Sequence, residues 1–175
     1  MSNYLIPLMV VVPMLCAILV NAFAKFNKSI KVLTFVVAIC LPIIPLLSNY
    51  GLHFFGGYTP MLDNATGVIY HPAITYAFDM LQQIFIAAVG LITFLVAFIY
   101  LSKYKKASGQ YLFLLFMGTA SVTALMLTDD IFNMFVFFEI LALVQVGIVI
   151  ASPMDYSYEM ALKYMILGSI GSPIM

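Results

Sequence analysis

Asp130-Ile131-Phe132-Asn133-Met134-Phe135-Val136-Phe137-Phe138-Glu139-Ile140-Leu141-Ala142-Leu143-Val144 is a run of aromatic and aliphatic residues with one carboxylate inside it. It opens an apolar stretch over 131–151, about the ~20 residues that carry an α-helix across a bilayer. Glu139 falls near its middle. An ionised acid at that depth costs about 3 kcal/mol or more unless it is paired or hydrated, so it marks a candidate relay site. Its neighbours one helical turn away, Phe135, Val136, Ala142 and Leu143, offer no side-chain hydrogen bond. Any partner must come from another helix or from water.

The rest of the chain agrees with a membrane setting. Hydrophobic residues make up 65% and charged residues 8%, against roughly a quarter charged in a soluble domain. The mean hydropathy is +1.12. With zero net charge there is no basic field for nucleic acid, and none is expected as a partner. Cys16 and Cys40 lie in apolar runs without metal-ligand spacing and read as small buried hydrophobes.

Apolar length divides the 175 residues into five complete spans, at about 4–24, 30–47, 74–101, 111–127 and 131–151, with part of a sixth from about 158. The expected fold is therefore all-α, a single polytopic helix bundle over 1–175 with a link at 48–73. Lys25, Lys28 and Lys31 lie between spans one and two, and Lys103, Lys105 and Lys106 between three and four. The positive-inside rule puts both clusters in the cytoplasm, the N-terminus outside, and the 48–73 link external. That link, with Gly51, Gly56-Gly57, Pro60, Asp63-Asn64 and Pro72, is rich in turn residues, and its alternating stretches suit a short hairpin or an interfacial segment.

Few other residues carry chemistry. Lys163 sits one to two turns into the sixth span and either snorkels to the interface, with Glu159 four residues earlier as a surface partner, or faces the bundle as a second relay charge. Asp79 opens the third span as a cap or, less simply, as a pathway acid. Asp129 and Asp130 suit the N-terminus of the fifth helix, where a cap and the helix dipole favour acids. Asn133 lies about 240° around that helix from Glu139, and Gln145 reads as an interhelical hydrogen-bond residue. His53 and His71, 18 residues apart in the link, fit no compact metal or haem motif. No catalytic centre and no cofactor site are expected on this chain.

The segment Thr128-Asp129-Asp130-Ile131-Phe132-Asn133-Met134-Phe135-Val136-Phe137-Phe138-Glu139-Ile140 resembles the fifth span of the antiporter-like subunits of complex I, of Mrp-type multisubunit sodium/proton antiporters and of energy-converting membrane-bound hydrogenases. Tyr76-Ala77-Phe78-Asp79-Met80-Leu81 resembles the start of the family's third span, and Ala161-Leu162-Lys163-Tyr164-Met165-Ile166-Leu167-Gly168-Ser169-Ile170-Gly171-Ser172 resembles its sixth. The resemblance implies the N-terminal part of a fold of about fourteen helices built on inverted repeats, with half-channels lined by buried ionisable groups. It implies that Glu139 answers a lysine on a later span that this chain does not include, so a longer polypeptide or a second one supplies it. It also implies a multi-pass subunit of a prokaryotic cytoplasmic membrane that moves H⁺ or Na⁺. The partners it implies are other membrane subunits, and subunits carrying iron–sulfur clusters with a nickel–iron site or flavin. Without a redox partner the same chain belongs to a sodium/proton antiporter; without transport it is a membrane scaffold.

Overall fold

Helices form wherever large apolar residues recur every three or four positions. The computed structural model describes residues 5–23, 27–48, 51–63, 67–104, 108–151 and 157–171. Among them stand α1 (Leu5–Ala22), α2 (Asn27–Leu47), β1 (Leu52–Asp63), β2 (Gly67–Phe78), α3 (Met80–Lys103), α4 (Gly109–Leu127), α5 (Ile131–Ile150) and α6 (Ser157–Gly171). Among the described residues, four helices are long and apolar enough to cross a membrane: α2 from Ile30, α3, α4 and α5. The apolar part of α1, Ile6–Ala22, is shorter, and α6 has 15 residues. The chain is a multi-pass membrane protein.

One expectation is met and one changes. The bundle is helical, and the link is the antiparallel hairpin that its alternating stretches suit. Strand β2 also continues through Ile74–Phe78, which apolarity alone assigned to the third span. Helix α3 starts at Met80 instead, behind Asp79 at its N-cap, where the Gln82 side chain accepts the Asp79 backbone N–H in a capping box. Gly51 enters the hairpin at φ +76°, a left-handed conformation suited to glycine, and its N–H donates to the Phe78 carbonyl at 2.7 Å.

The buried stripe of α1 (Ile6, Met9, Val10, Cys16, Ala17, Val20) and that of α2 (Ile30, Thr34, Val37, Ala38, Leu41) follow the helical repeat. Cys16 lies on its stripe, but Cys40 falls off the α2 stripe and is exposed, contrary to expectation. Helix α4 is central, with buried residues along its length that touch α1, α3 and α5. It joins two apolar clusters. One holds Cys16, Val20, Ile30, Leu41, Leu112 and Phe116; the other holds Ile6, Met9, Phe78, Ile86, Ala124 and Leu127.

Helix α2 carries Pro42 and Pro45, which cannot donate to the carbonyls four residues back. At that point α3 presents Gly90, and a Cβ there would lie 2.7 Å from Pro42 N and 2.8 Å from Leu41 C. Glycine is what lets the two backbones meet. Gln83 of α3 donates to the Pro45 carbonyl at 2.9 Å and the Ser48 carbonyl at 3.1 Å, satisfying the frayed end of α2. At the other end, Lys31 donates to the Tyr104 carbonyl at 3.2 Å, and the rings of Tyr100 and Tyr111 stack at 4.3 Å. These contacts bring the start of α2, the end of α3 and the start of α4 to one face of the bundle. The hairpin occupies the opposite face.

Candidate functional site

Helix α5 positions the carboxylate. Asp130 caps it, accepting from the backbone N–H groups of Phe132 (3.3 Å) and Asn133 (3.1 Å), as the sequence suggests. Nine residues on, about 13 Å along the axis, Glu139 is half-buried. Its Oε1 is shut off from solvent and has no hydrogen-bond partner among the described residues. Around it on the same side of α5, Phe132, Phe135 and Leu143 are exposed. The packed side of the helix is elsewhere: Val144 touches α4 at Gly118, and Gly147 lies against Leu114.

The other predicted positions are not drawn to Glu139. Lys163 donates to Glu159 at 2.6 Å, both side chains more than 60% exposed, which is the surface pairing rather than a contact with the bundle. Asp79 is exposed at its cap. Gln145 is exposed and makes no hydrogen bond among the described residues, so the interhelical role expected of it is not seen. His53 and His71 stand on β1 and β2, with their side chains outside the described residues. Among the described residues no three His, Cys, Asp or Glu side chains converge as metal ligands do.

Two polar clusters escape a reading of the sequence alone. At the hairpin end, buried Asn133 donates to the Tyr76 hydroxyl and to Thr128 Oγ1, both at 3.1 Å. The Asp129 N–H donates to the Thr75 carbonyl at 3.0 Å, and Tyr76 bridges Thr128 in antiparallel fashion. The α4–α5 turn is thereby stitched to β2. A polar Asn inside an apolar span was the available signal, although nothing in the sequence named Tyr76 as its partner. The second cluster joins α3 to α4, where Thr93 and Thr119, both buried, place their hydroxyls 2.9 Å apart.

No family model matches the chain. Over 173 residues it is 36% identical to an uncharacterised protein of Methanocaldococcus jannaschii, covering 99% of this chain and 34% of that protein. It is 22% identical over 170 residues to a Na⁺/H⁺ antiporter subunit of Alkalihalophilus pseudofirmus, covering 97% and 34%. Its fold matches a chain in the structure of a membrane-bound sulfane sulfur reductase, an archaeal respiratory membrane complex. There the TM-score is 0.70 and the identity 23%, over 96% of this chain and 34% of the other. The chain thus spans about a third of the length of each protein it matches. In fold it is like a membrane chain of that complex, and in sequence it is similar to an antiporter subunit.

Proposed function

We propose that this chain is the ion-translocating, antiporter-like part of a membrane redox complex, in which electron transfer on partner subunits drives H⁺ or Na⁺ movement here. Glu139 is the relay carboxylate. The observation that carries this reading is its Oε1, enclosed at mid-helix without a partner among the described residues. A buried acid left without a partner is costly, and the exposed apolar residues beside it offer a face for further helices. Further helices packed there, from a longer polypeptide or from a second one, would bring the cation that answers Glu139. The face with Lys31 and Lys103 is cytoplasmic under the positive-inside rule, which leaves the hairpin outside. Iron–sulfur clusters and any nickel–iron site or flavin belong to the partner subunits. Lys163 and Asp79 take secondary roles, at the interface and at a helix cap.

The test is Glu139→Gln in the whole complex, which retains assembly and loses most or all ion pumping. Full pumping by this variant sinks the assignment.

The likeness to the Alkalihalophilus antiporter polypeptide favours a second reading, a sodium/proton antiporter with no redox partner. Cation-driven transport in vesicles lacking any electron donor selects it. A scaffold without transport predicts instead that Glu139→Ala leaves the activity of the complex intact.

A further inference from the structure

Two ammonium groups converge on Tyr104, where α3 ends. Lys31 Nζ of α2 donates to the Tyr104 carbonyl at 3.2 Å and to the Leu101 carbonyl at 3.5 Å. Lys103 Nζ lies over the Tyr104 ring, 5.6 Å from its centroid. An ammonium carries three N–H donors, so Lys31 keeps one N–H and its charge to offer. Lys103 is exposed and makes no ion pair among the described residues. Tyr100 keeps this corner in shape: its ring lies 4.9 Å from that of Tyr104, and its hydroxyl accepts the Ser108 N–H at 3.0 Å.

The helices packed here bring no acid to answer these charges. Helices α1 to α4 contain no Asp or Glu, and Glu159 of α6 is already paired with Lys163. Beneath the lysines the surface turns apolar. Phe35 stands four residues beyond Lys31 along α2, and Phe98 five residues before Lys103 along α3. Both rings therefore sit deeper in the span, by about 6 Å and about 7.5 Å along the helix axes. They are exposed, with centroids 6.5 Å apart, and the Phe94 ring lies 6.0 Å from one and 6.2 Å from the other. The headgroup layer on each side of a bilayer is about 5–8 Å deep. Cations at one level with exposed rings that far below match the outline of a phospholipid; a soluble anion has no use for the rings.

We propose that this corner binds one anionic phospholipid. Its phosphate accepts from Lys31 and Lys103, and the first carbons of its acyl chains lie on Phe35 and Phe98. The lipid supplies the negative charge that α1 to α4 lack, at the seam between the start of α2 and the end of α3. The site is separate from Glu139, and lipid binding there does not depend on whether the chain moves ions.

The experiment uses the full-length protein in detergent, titrated with phosphatidylglycerol or with phosphatidylcholine and read by native mass spectrometry. Each lysine near a membrane surface contributes about fivefold to the binding of an anionic lipid. The parent is therefore expected to bind phosphatidylglycerol roughly thirtyfold more tightly than phosphatidylcholine. Lys103→Gln should lose about fivefold of that affinity, and Lys31→Gln combined with Lys103→Gln about thirtyfold, with phosphatidylcholine binding unchanged in both. Lys103 bonds to no other helix, so the single variant keeps the fold even where loss of Lys31 loosens the end of α3. Lys163→Gln makes the same charge change at a lysine that is already paired, and it should leave the affinity within about twofold. Equal affinity of the parent for the two lipids overturns the proposal, as does unchanged phosphatidylglycerol binding in Lys103→Gln. An equal loss in Lys163→Gln overturns it in favour of overall charge. Displacement of the lipid by inorganic phosphate at equal concentration overturns it in favour of a soluble anion. A density map of the assembled complex with another polypeptide's carboxylate on Lys103 overturns it in favour of a protein partner.

Discussion

Gly90→Ala tests the packing at the α2 kink most directly. The added Cβ would sit 2.7 Å from Pro42 N, 2.8 Å from Leu41 C and 2.9 Å from Pro42 Cα, all backbone atoms. No rotamer change relieves such contacts, so α2 and α3 must part by roughly 0.7 Å to restore an ordinary separation. Overpacking of this kind costs about 1–3 kcal/mol, with rigid neighbours at the upper end. The gain in helix propensity from Gly to Ala, about 1 kcal/mol, opposes it. A net loss of about 2 kcal/mol remains, or roughly 4–8 °C in melting temperature for a unit of this size. Buried Cys16 supplies the assay: a thiol-reactive fluorophore reports its exposure on heating, in a Cys40→Ala background that removes the exposed thiol. Gly147→Ala is the control, because its added Cβ meets only the end of the Leu114 side chain, which can move. Its melting temperature should fall less. A Gly90→Ala protein as stable as its parent would refute the argument that backbone proximity fixes this glycine.

Two further outcomes follow from the polar contacts. Asn133→Ala leaves the buried Tyr76 hydroxyl and Thr128 Oγ1 without their shared donor, costing about 1–3 kcal/mol. Limited proteolysis should then cut the hairpin faster than in the parent, and an unchanged cutting rate would count against the stitch between β2 and α5. Gln83→Leu removes both donations to the end of α2, with a loss of about 1–2 kcal/mol in the same thiol assay. No shift there would mean that water satisfies those carbonyls equally well.

The helices were legible because apolar length and periodicity report directly on burial in lipid. Their exact starts were less so. Ile74-Thr75-Tyr76-Ala77-Phe78 is a short apolar run that suits a strand as well as the first turns of a helix, and periodicity cannot separate the two. Pro72 before it and the capping residue Asp79 after it were the signals that favoured the strand. Glu139 was legible by depth, and its lack of a local partner could be read from the residues one turn away. The Thr93–Thr119 contact could not be read. Threonine is common in apolar helices, and only the packing of α3 on α4 selects which two hydroxyls meet across 26 residues of sequence. Cys40 was misplaced for a related reason: an apolar run with few polar residues does not declare which side faces lipid.

The stitch at Thr128–Asn133 fixes the start of α5. Its N-terminal end is tied to a strand through Tyr76 and Thr75, while Ile150, about 30 Å away, has no such tie to the hairpin. A tilt of the helix about that end would displace each residue in proportion to its distance from it. A tilt of about 10° then moves Ile150 by about 5 Å but Glu139 by only about 2.4 Å. A displacement of that size at Glu139 would be enough to make or break one hydrogen bond.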